Sequence, residues 1–301
     1  MSKKSRKVVA GEYDVVIVGG GVGGITVGVF TSRYGLSTLI LDRGRSSLGR
    51  IAHLENFPGF PGGIDTPTFQ KLLHAQAERV GCEITREKAV EASQTEDGFR
   101  IETETGDEYA TESLVAAAKY GREWLETLDE GEFLGDDGGV DINWEEHKRY
   151  GRTSVDGLYF AGRLGTAEDQ AVVAAGQAGE TALGLIHDVR RDEGLPEDLA
   201  THYTDWVFVQ GSVIDGDWEA HVRKEFPERV GDADLSEARF DELQSQYVER
   251  KVEQAISPSE QRKRRRDGHR HLVEHIDDDA VLERAEEIKT ERSSGLDDER
   301  Q

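Results

Sequence analysis

Three glycines and one acid carry the clearest chemical signal in the chain. Gly19, Gly21 and Gly24 form a G-x-G-x-x-G run, and Asp42 stands 18 residues beyond the last of them. The β-branched run Val15-Val16-Ile17-Val18 before the glycines reads as a strand buried on both faces. Val22 to Tyr34 reads as a helix that stops at Gly35, and Leu39-Ile40-Leu41 as a second strand closed by Asp42. The chemistry follows from that order. The first glycine permits a tight turn, the second lets a pyrophosphate approach the backbone, and the third lets helix and strand pack closely. The free N–H groups of the helix start then meet phosphate. A carboxylate after the second strand can accept hydrogen bonds from ribose hydroxyls. Together these features predict a dinucleotide site at Gly19, Gly21, Val22, Gly23, Gly24, Asp42 and Arg43. Taken alone, they suit NAD as readily as FAD; the alternative is a glycine-rich structural turn.

Other chemistry-bearing residues are fewer. Cys82 is the only cysteine, so no intramolecular disulfide and no dithiol centre can form within one chain. It reads as a small buried hydrophobe. His53 is the one histidine near the aromatic run that follows it, where a proton relay competes with a packing role. His271 and His275 can share a helix face but lack a third convincing ligand, so no metal site is predicted. The basic block Arg262-Lys263-Arg264-Arg265-Arg266 has no aromatic interleaving, and acids resume at Asp267. It reads as a solvated helical face rather than a nucleic-acid contact.

The elements that position these residues are legible in order. Thr66-Pro67 starts a helix with the apolar face Phe69, Leu72, Leu73 and Ala77, ending at Gly81. Residues 82–115 alternate around the turns Asp97-Gly98 and Gly106-Asp107, which predicts a small antiparallel element returning to a main sheet. Trp124, Leu125 and Leu128 are expected anchors in a charged, glycine-rich stretch. Gly157 to Gly162 reads as a strand ending in glycine, and Gln170 to Leu185 as a small-residue helix able to pack closely on a sheet. Leu235 to Ala255 has helical spacing through Phe240, Leu243 and Tyr247, and Ser293 to Gln301 should fray. The predicted organisation is a basic tail over 1–11 and an α/β domain over 12–190. A mostly helical extension over 191–256 and a charged helical or disordered tail over 257–301 follow.

Composition sets outer limits. The chain has 301 residues, 61 acidic and 37 basic, for a formal net charge of −24; only 11 of the basic residues are lysine. Carboxylate excess with scarce lysine suits concentrated salt, where screening removes self-repulsion. It also disfavours nonspecific nucleic-acid binding by the body of the protein. An acidic partner-binding surface is the lesser alternative. No apolar signal follows the basic start MSKKSRK and no window approaches a membrane span, so a cytoplasmic protein is expected.

Three blocks together resemble the flavin-binding portion of thioredoxin reductase and its low-molecular-weight relatives. They are Tyr13–Asp42, the run ENFPGFPGGI over 55–64, and RTSVDGLYFAG…QAVVAAGQAGETAL over 152–183. The resemblance implies a Rossmann-like, three-layer FAD-binding domain with a parallel sheet and a small antiparallel element, followed here by a helical C-terminal extension. It raises FAD over NAD. It also implies cofactor contacts at Asn56, at Gly162 and Arg163, and at Gln170 and Ala171, where backbone N–H groups would face the flavin ring. Phe57, Pro58 and Phe60 would pack near the cofactor or simply anchor their loop. Three departures stand out. The family's inserted NADPH-binding domain, with its second glycine fingerprint and Cys-x-x-Cys, is missing, with Gly135–Gly139 as the splice. Ala161-Gly162-Arg163 replaces Ala-Gly-Asp, so an arginine able to donate to phosphate stands where an acid is expected; Glu168 or Asp169 would have to supply the lost carboxylate. Ala117-Ala118-Lys119 replaces Ala-Thr-Gly. The expectation is an FAD-dependent oxidoreductase, not a functional thioredoxin reductase. Electrons would come from a separate donor such as NAD(P)H, a ferredoxin or a partner protein, and homodimerisation is implied by the family only. The alternative is a non-catalytic FAD- or nucleotide-holding redox sensor or scaffold.

Overall fold

Val15 and Ile17 point to one face of the first strand and Val16 and Val18 to the other, and all four are buried. Such a strand needs cover on both sides, and the rest of the first unit supplies it. The computed structural model describes residues 9–128, 149–166, 168–210 and 218–294. Its first unit comprises residues up to Asp205 together with Lys224–Gln244; the second comprises Trp206–Arg223 and Ser245–Gln301.

In chain order the first unit runs β1 (Val9–Val18), α1 (Val22–Tyr34), β2 (Thr38–Leu41), β3 (His53–Leu54), β4 (Ile64–Asp65), α2 (Thr66–Arg79), β5 (Glu83–Thr85), β6 (Ala89–Thr95), β7 (Gly98–Thr103), β8 (Glu108–Ala116), β9 (Leu158–Phe160), α3 (Ala171–Asp192) and α4 (Glu197–Thr201). A seven-stranded sheet is ordered β5-β2-β1-β8-β7-β6, with β9 also paired to β8. Pairings among β5, β2, β1, β8 and β9 are parallel, while β6-β7-β8 is an antiparallel meander. The returning strand of the predicted antiparallel element is thus β8, which lies beside β1. That placement brings the ends of β1, β2 and β8 to one edge.

One face of the sheet packs Leu39, Leu41, Phe99, Ile101, Leu114 and Phe160 with Trp124 and Leu125. The anchors predicted at Trp124, Leu125 and Leu128 are all buried. The other face packs Ile40 and Val115 against Ile25 and Val27 of α1 and Ala178, Ala182 and Leu185 of α3. The small residues of α3 pack on the sheet, as the sequence predicts, and α3 also lies against α1. The helix continues past Leu185 to Asp192 because Ile186, His187 and Arg190 extend its buried stripe. A third cluster holds Leu48, Leu54, Ile64 and Phe69, with Phe57 and Phe60 packed on it. Residues 224–244 close the unit, with Phe226 fully buried against Phe240.

In the second unit, β10 (Phe208–Val209) runs parallel to β11 (Ala255–Ile256). Helices α5 (Trp218–Val230) and α6 (Glu237–Glu253) have residues in both units. The Trp218 indole N–H donates to the Lys251 carbonyl at 3.1 Å. Helices α7 (Pro258–Val273) and α8 (Asp278–Ser293) follow, neither with a buried residue. The basic block lies on α7, where Arg264 and Lys263 pair with Glu260 at 2.9 and 3.9 Å. The predicted splice at 135–139 lies outside the described residues, as do the final residues 295–301. Among the described residues, no helix is long and apolar enough to cross a membrane.

Candidate functional site

The edge where β1, β2 and β8 end opens into a cleft of about 1010 Å³, counting the part open to solvent. A crevice beyond the carboxyl ends of parallel strands is where open α/β sheets bind ligands. Of the residues predicted from sequence, Gly19, Gly21, Val22, Gly23, Asp42 and Arg43 line one part of it, and Arg163, Gln170 and Ala171 another. Gly24, Asn56 and Gly162 do not line it; each supports a residue that does. A Cβ on Gly24 would run into the Gly19 carbonyl oxygen, so only glycine lets α1 start this close to β1. A Cβ on Gly23 would lie 2.8 Å from Gly162 Cα, so the two glycines bring the β9 end against the start of α1. The Asn56 amide donates to Gln170 Oε1 at 2.8 Å. Gln170 is the N-cap of α3, and no side chain caps the first N–H groups of that helix.

Asp42 is 3% exposed. Its Oδ1 accepts from the Gly44 N–H at 2.8 Å, while Oδ2 is buried with no hydrogen-bond partner among the described residues. Gly20 makes room for this carboxylate, since a Cβ there would overlap the Asp42 side chain. His74 Nε2 is 3.6 Å from Oδ2, beyond hydrogen-bond reach, and 3.1 Å from the Gly20 carbonyl. A buried acceptor left without a donor is costly unless something supplies one. The arrangement suits a hydroxyl donor in the cleft.

Also on the cleft lining, Lys119 Nζ donates to Asp169 Oδ1 at 2.6 Å, and Arg163 Nε donates to the same oxygen at 2.7 Å. Arg163 also donates to the Thr166 carbonyl at 2.6 Å. Two donors of the arginine expected to face phosphate, Nε and Nη1, are thus met within the chain, while the residue itself lines the cleft. Lys119 and Arg163 hold the Asp169 carboxyl below the usual carboxylate range, the lysine hydrogen bond contributing most.

Other sequence-marked residues lie elsewhere. Phe57 and Phe60 pack on Phe69 with ring centroids 4.9 and 5.7 Å away, anchoring α2 rather than lining the cleft. His53 is exposed, 3.9 Å from Glu55, and outside the cleft lining. Cys82 is buried beside Ser32 Oγ at 3.1 Å, and burial pushes its thiol up. Sequence reasoning passed over His74 and Tyr120. His74 left one signal, a polar residue set between Leu73 and Ala77 of the apolar face. Tyr120 lines the cleft, its hydroxyl accepts from Arg50 Nη1 at 3.1 Å, and the Arg50 guanidinium sits 4.7 Å from the ring centre. That pairing joins residues 70 apart and left no local trace.

The structure defines an α/β protein of Rossmann-like fold with a crevice at its parallel strand ends, and comparison with known proteins narrows the likeness. No protein-family model matches the chain. It is 32% identical over 125 residues to thioredoxin reductase of Aquifex aeolicus, covering 41% of this chain and 39% of that protein. It is 29% identical over 123 residues to thioredoxin reductase of Rickettsia prowazekii, covering 40% of each. The matches therefore span about two fifths of these relatives. Among solved structures, a thioredoxin reductase from Gloeobacter violaceus superposes with a TM-score of 0.52 at 19% identity, covering 65% of this chain and 99% of that one. HlmI gives 0.52 at 15% identity, covering 64% and 96%. These superpositions show a shared fold.

Proposed function

We propose that the cleft binds FAD and that the protein is a flavin-dependent oxidoreductase served by a separate electron donor. The observation that carries this reading is the buried, unpartnered Asp42 Oδ2 beside the glycine turn at the strand ends. A dinucleotide fits both features, its ribose hydroxyl meeting the acid and its diphosphate meeting the backbone N–H groups of Gly19–Gly24. Support for FAD over NAD comes from the relatives named thioredoxin reductase and from the blocks over 55–64 and 152–183. Gln170 and Ala171, at the uncapped start of α3, would hold the end of the ligand far from Asp42. When bound, a flavin supplies reversible electron transfer that no side chain here offers. The chain's own groups bind it, orient it and exclude water on the buried side.

Two features argue for an external donor and against dithiol chemistry in this chain. The run 117–157 between β8 and β9 is shorter than about 50 residues, the lower end of independent domain size, so it cannot hold a nicotinamide-binding domain. Cys82 is the single cysteine and is buried. NADH, NADPH and reduced ferredoxin are the donors to test. A second reading, a non-catalytic FAD-holding sensor or scaffold, is favoured by the Lys119–Asp169–Arg163 bridge that ties up two of the cations lining the cleft.

The test begins with the visible spectrum of the purified chain, mixed with FAD in concentrated salt. A bound-flavin spectrum is expected, and a colourless protein after reconstitution overturns the reading. Stopped-flow reduction by each donor then separates the two functions, since rapid reduction with turnover excludes the inert module.

A further inference from the structure

Lys119 and Arg163 come from distant parts of the chain yet flank the same glycine turn. A Cβ on Gly19 would lie 2.8–2.9 Å from the backbone of Ala117 and Ala118, and Gly19 takes φ +129° there. Gly162 presses on Gly23 from the other side. The residue after each contact is a cation, Lys119 following Ala118 and Arg163 following Gly162. Both cations line the cleft, and both donate to one oxygen of Asp169, whose side chain is 60% exposed. A glycine turn of this kind binds phosphate through backbone N–H groups and the helix dipole alone. Here two side-chain cations stand next to it, in a chain whose net charge is −24.

We propose that Lys119 and Arg163 form a cationic subsite for the diphosphate of a bound dinucleotide, and that Asp169 is the counter-ion that the diphosphate displaces. The proposal rests on the reading of the cleft as a dinucleotide site. The physical case is competition between anions. An exposed carboxylate holds two cations weakly, because solvent screens the pairs. A diphosphate brings more charge and more acceptor oxygens, and it is also held by the N–H groups of the turn. The cleft lining holds three further acids, Asp42, Glu87 and Glu168, and Glu168 is exposed and donates its N–H to Thr166 Oγ1. Binding exchanges one partner for another and leaves no cation buried alone.

The experiment is titration of the full-length chain with FAD, ADP and adenosine, for the wild type and for Asp169→Asn, Lys119→Gln and Arg163→Gln. Removing the competitor in Asp169→Asn should tighten FAD and ADP by about three- to tenfold, while each cation loss should weaken both by about five- to twentyfold, the range for a charge-assisted hydrogen bond partly screened by water. Adenosine, which has no phosphate, should bind all four proteins alike. Lys119→Arg and Arg163→Lys keep the charge and should restore most of the affinity, which separates a charge effect from misfolding. The proposal is overturned if wild-type protein binds FAD while both glutamine variants match it. It is also overturned if Asp169→Asn weakens FAD but leaves ADP unchanged, since the carboxylate would then be accepting ligand hydroxyls. Failure of the wild type to bind FAD, ADP or any dinucleotide overturns this proposal and the reading of the cleft together.

Discussion

Asp42 combines two costs that a protein rarely accepts without a use: a carboxylate out of water and an oxygen with no donor. Its neighbours keep it so, because Gly20 leaves it room and His74 turns its Nε2 toward the Gly20 carbonyl. Asp42→Asn keeps an acceptor for the Gly44 N–H and removes the buried charge. The ligand-free protein should melt at the same temperature or slightly higher, while FAD binds about tenfold or more weakly, as loss of a charged acceptor worth about 1.5–3 kcal/mol requires. Titration and thermal melts of the same samples check both halves. His187 makes a pH prediction at this scale. It is buried, set edge-on to Tyr150, and its Nδ1 has no hydrogen-bond partner among the described residues. Burial first, then Arg191, Arg152 and Arg190, lower its proton affinity, against a smaller opposing effect of Asp188. The folded value lies below the unfolded value of about 6.5, so the unfolded state binds the proton more readily. Stability from this residue is present above about pH 6.5 and is lost as the pH falls below it. His187→Gln should flatten the slope of melting temperature between pH 5 and 7.

Among the elements, the helices were the most legible because their ends carry chemistry. The sequence places α1 at Val22–Tyr34 with Gly35 beyond it, and Gly35 takes φ +112° as a left-handed cap. For α2, Asp65 Oδ1 accepts from the Thr68 N–H at 2.9 Å, one residue before the predicted start at Thr66-Pro67. Asp65→Ala should cost about 1 kcal/mol, the usual worth of an N-cap, read as a lower midpoint in denaturant unfolding. The end of α3 was less legible. Its continuation depends on His187 and Arg190 being buried, and polar residues give no apolar signal; Arg190 is satisfied by the Leu199 and Ala200 carbonyls of α4. The ENFPGFPGGI block behaves likewise. Its aromatics pack under α2 rather than in the cleft, and only Asn56 reaches toward it, through Gln170.

For the whole molecule, a formal charge of −24 repels itself and works against the compact state to the extent that salt leaves it unscreened. Exposed pairs such as Arg284–Glu291 and Lys289–Glu286 are worth little each and weaken with salt. General self-repulsion weakens too, and it involves many more charges. The melting temperature should therefore rise as potassium chloride goes from about 0.1 M, where the Debye length is about 10 Å, to above 1 M, where it is about 3 Å. A fall over that range would mean that specific ion pairs outweigh net repulsion. By itself the sequence determined the strand–turn–helix–strand unit, its helix caps and the acid that closes it. Those depend on glycine sterics, on β-branched runs and on neighbours within a few residues. The sequence also marked Lys119 and Arg163, but as separate oddities. Only the tertiary structure decided that β8 lies beside β1 and that β9 returns to β8, and so that these two cations share one carboxylate beside the glycine turn. Strand order is set by packing across the sheet, between residues far apart in the chain, and no local pattern encodes it.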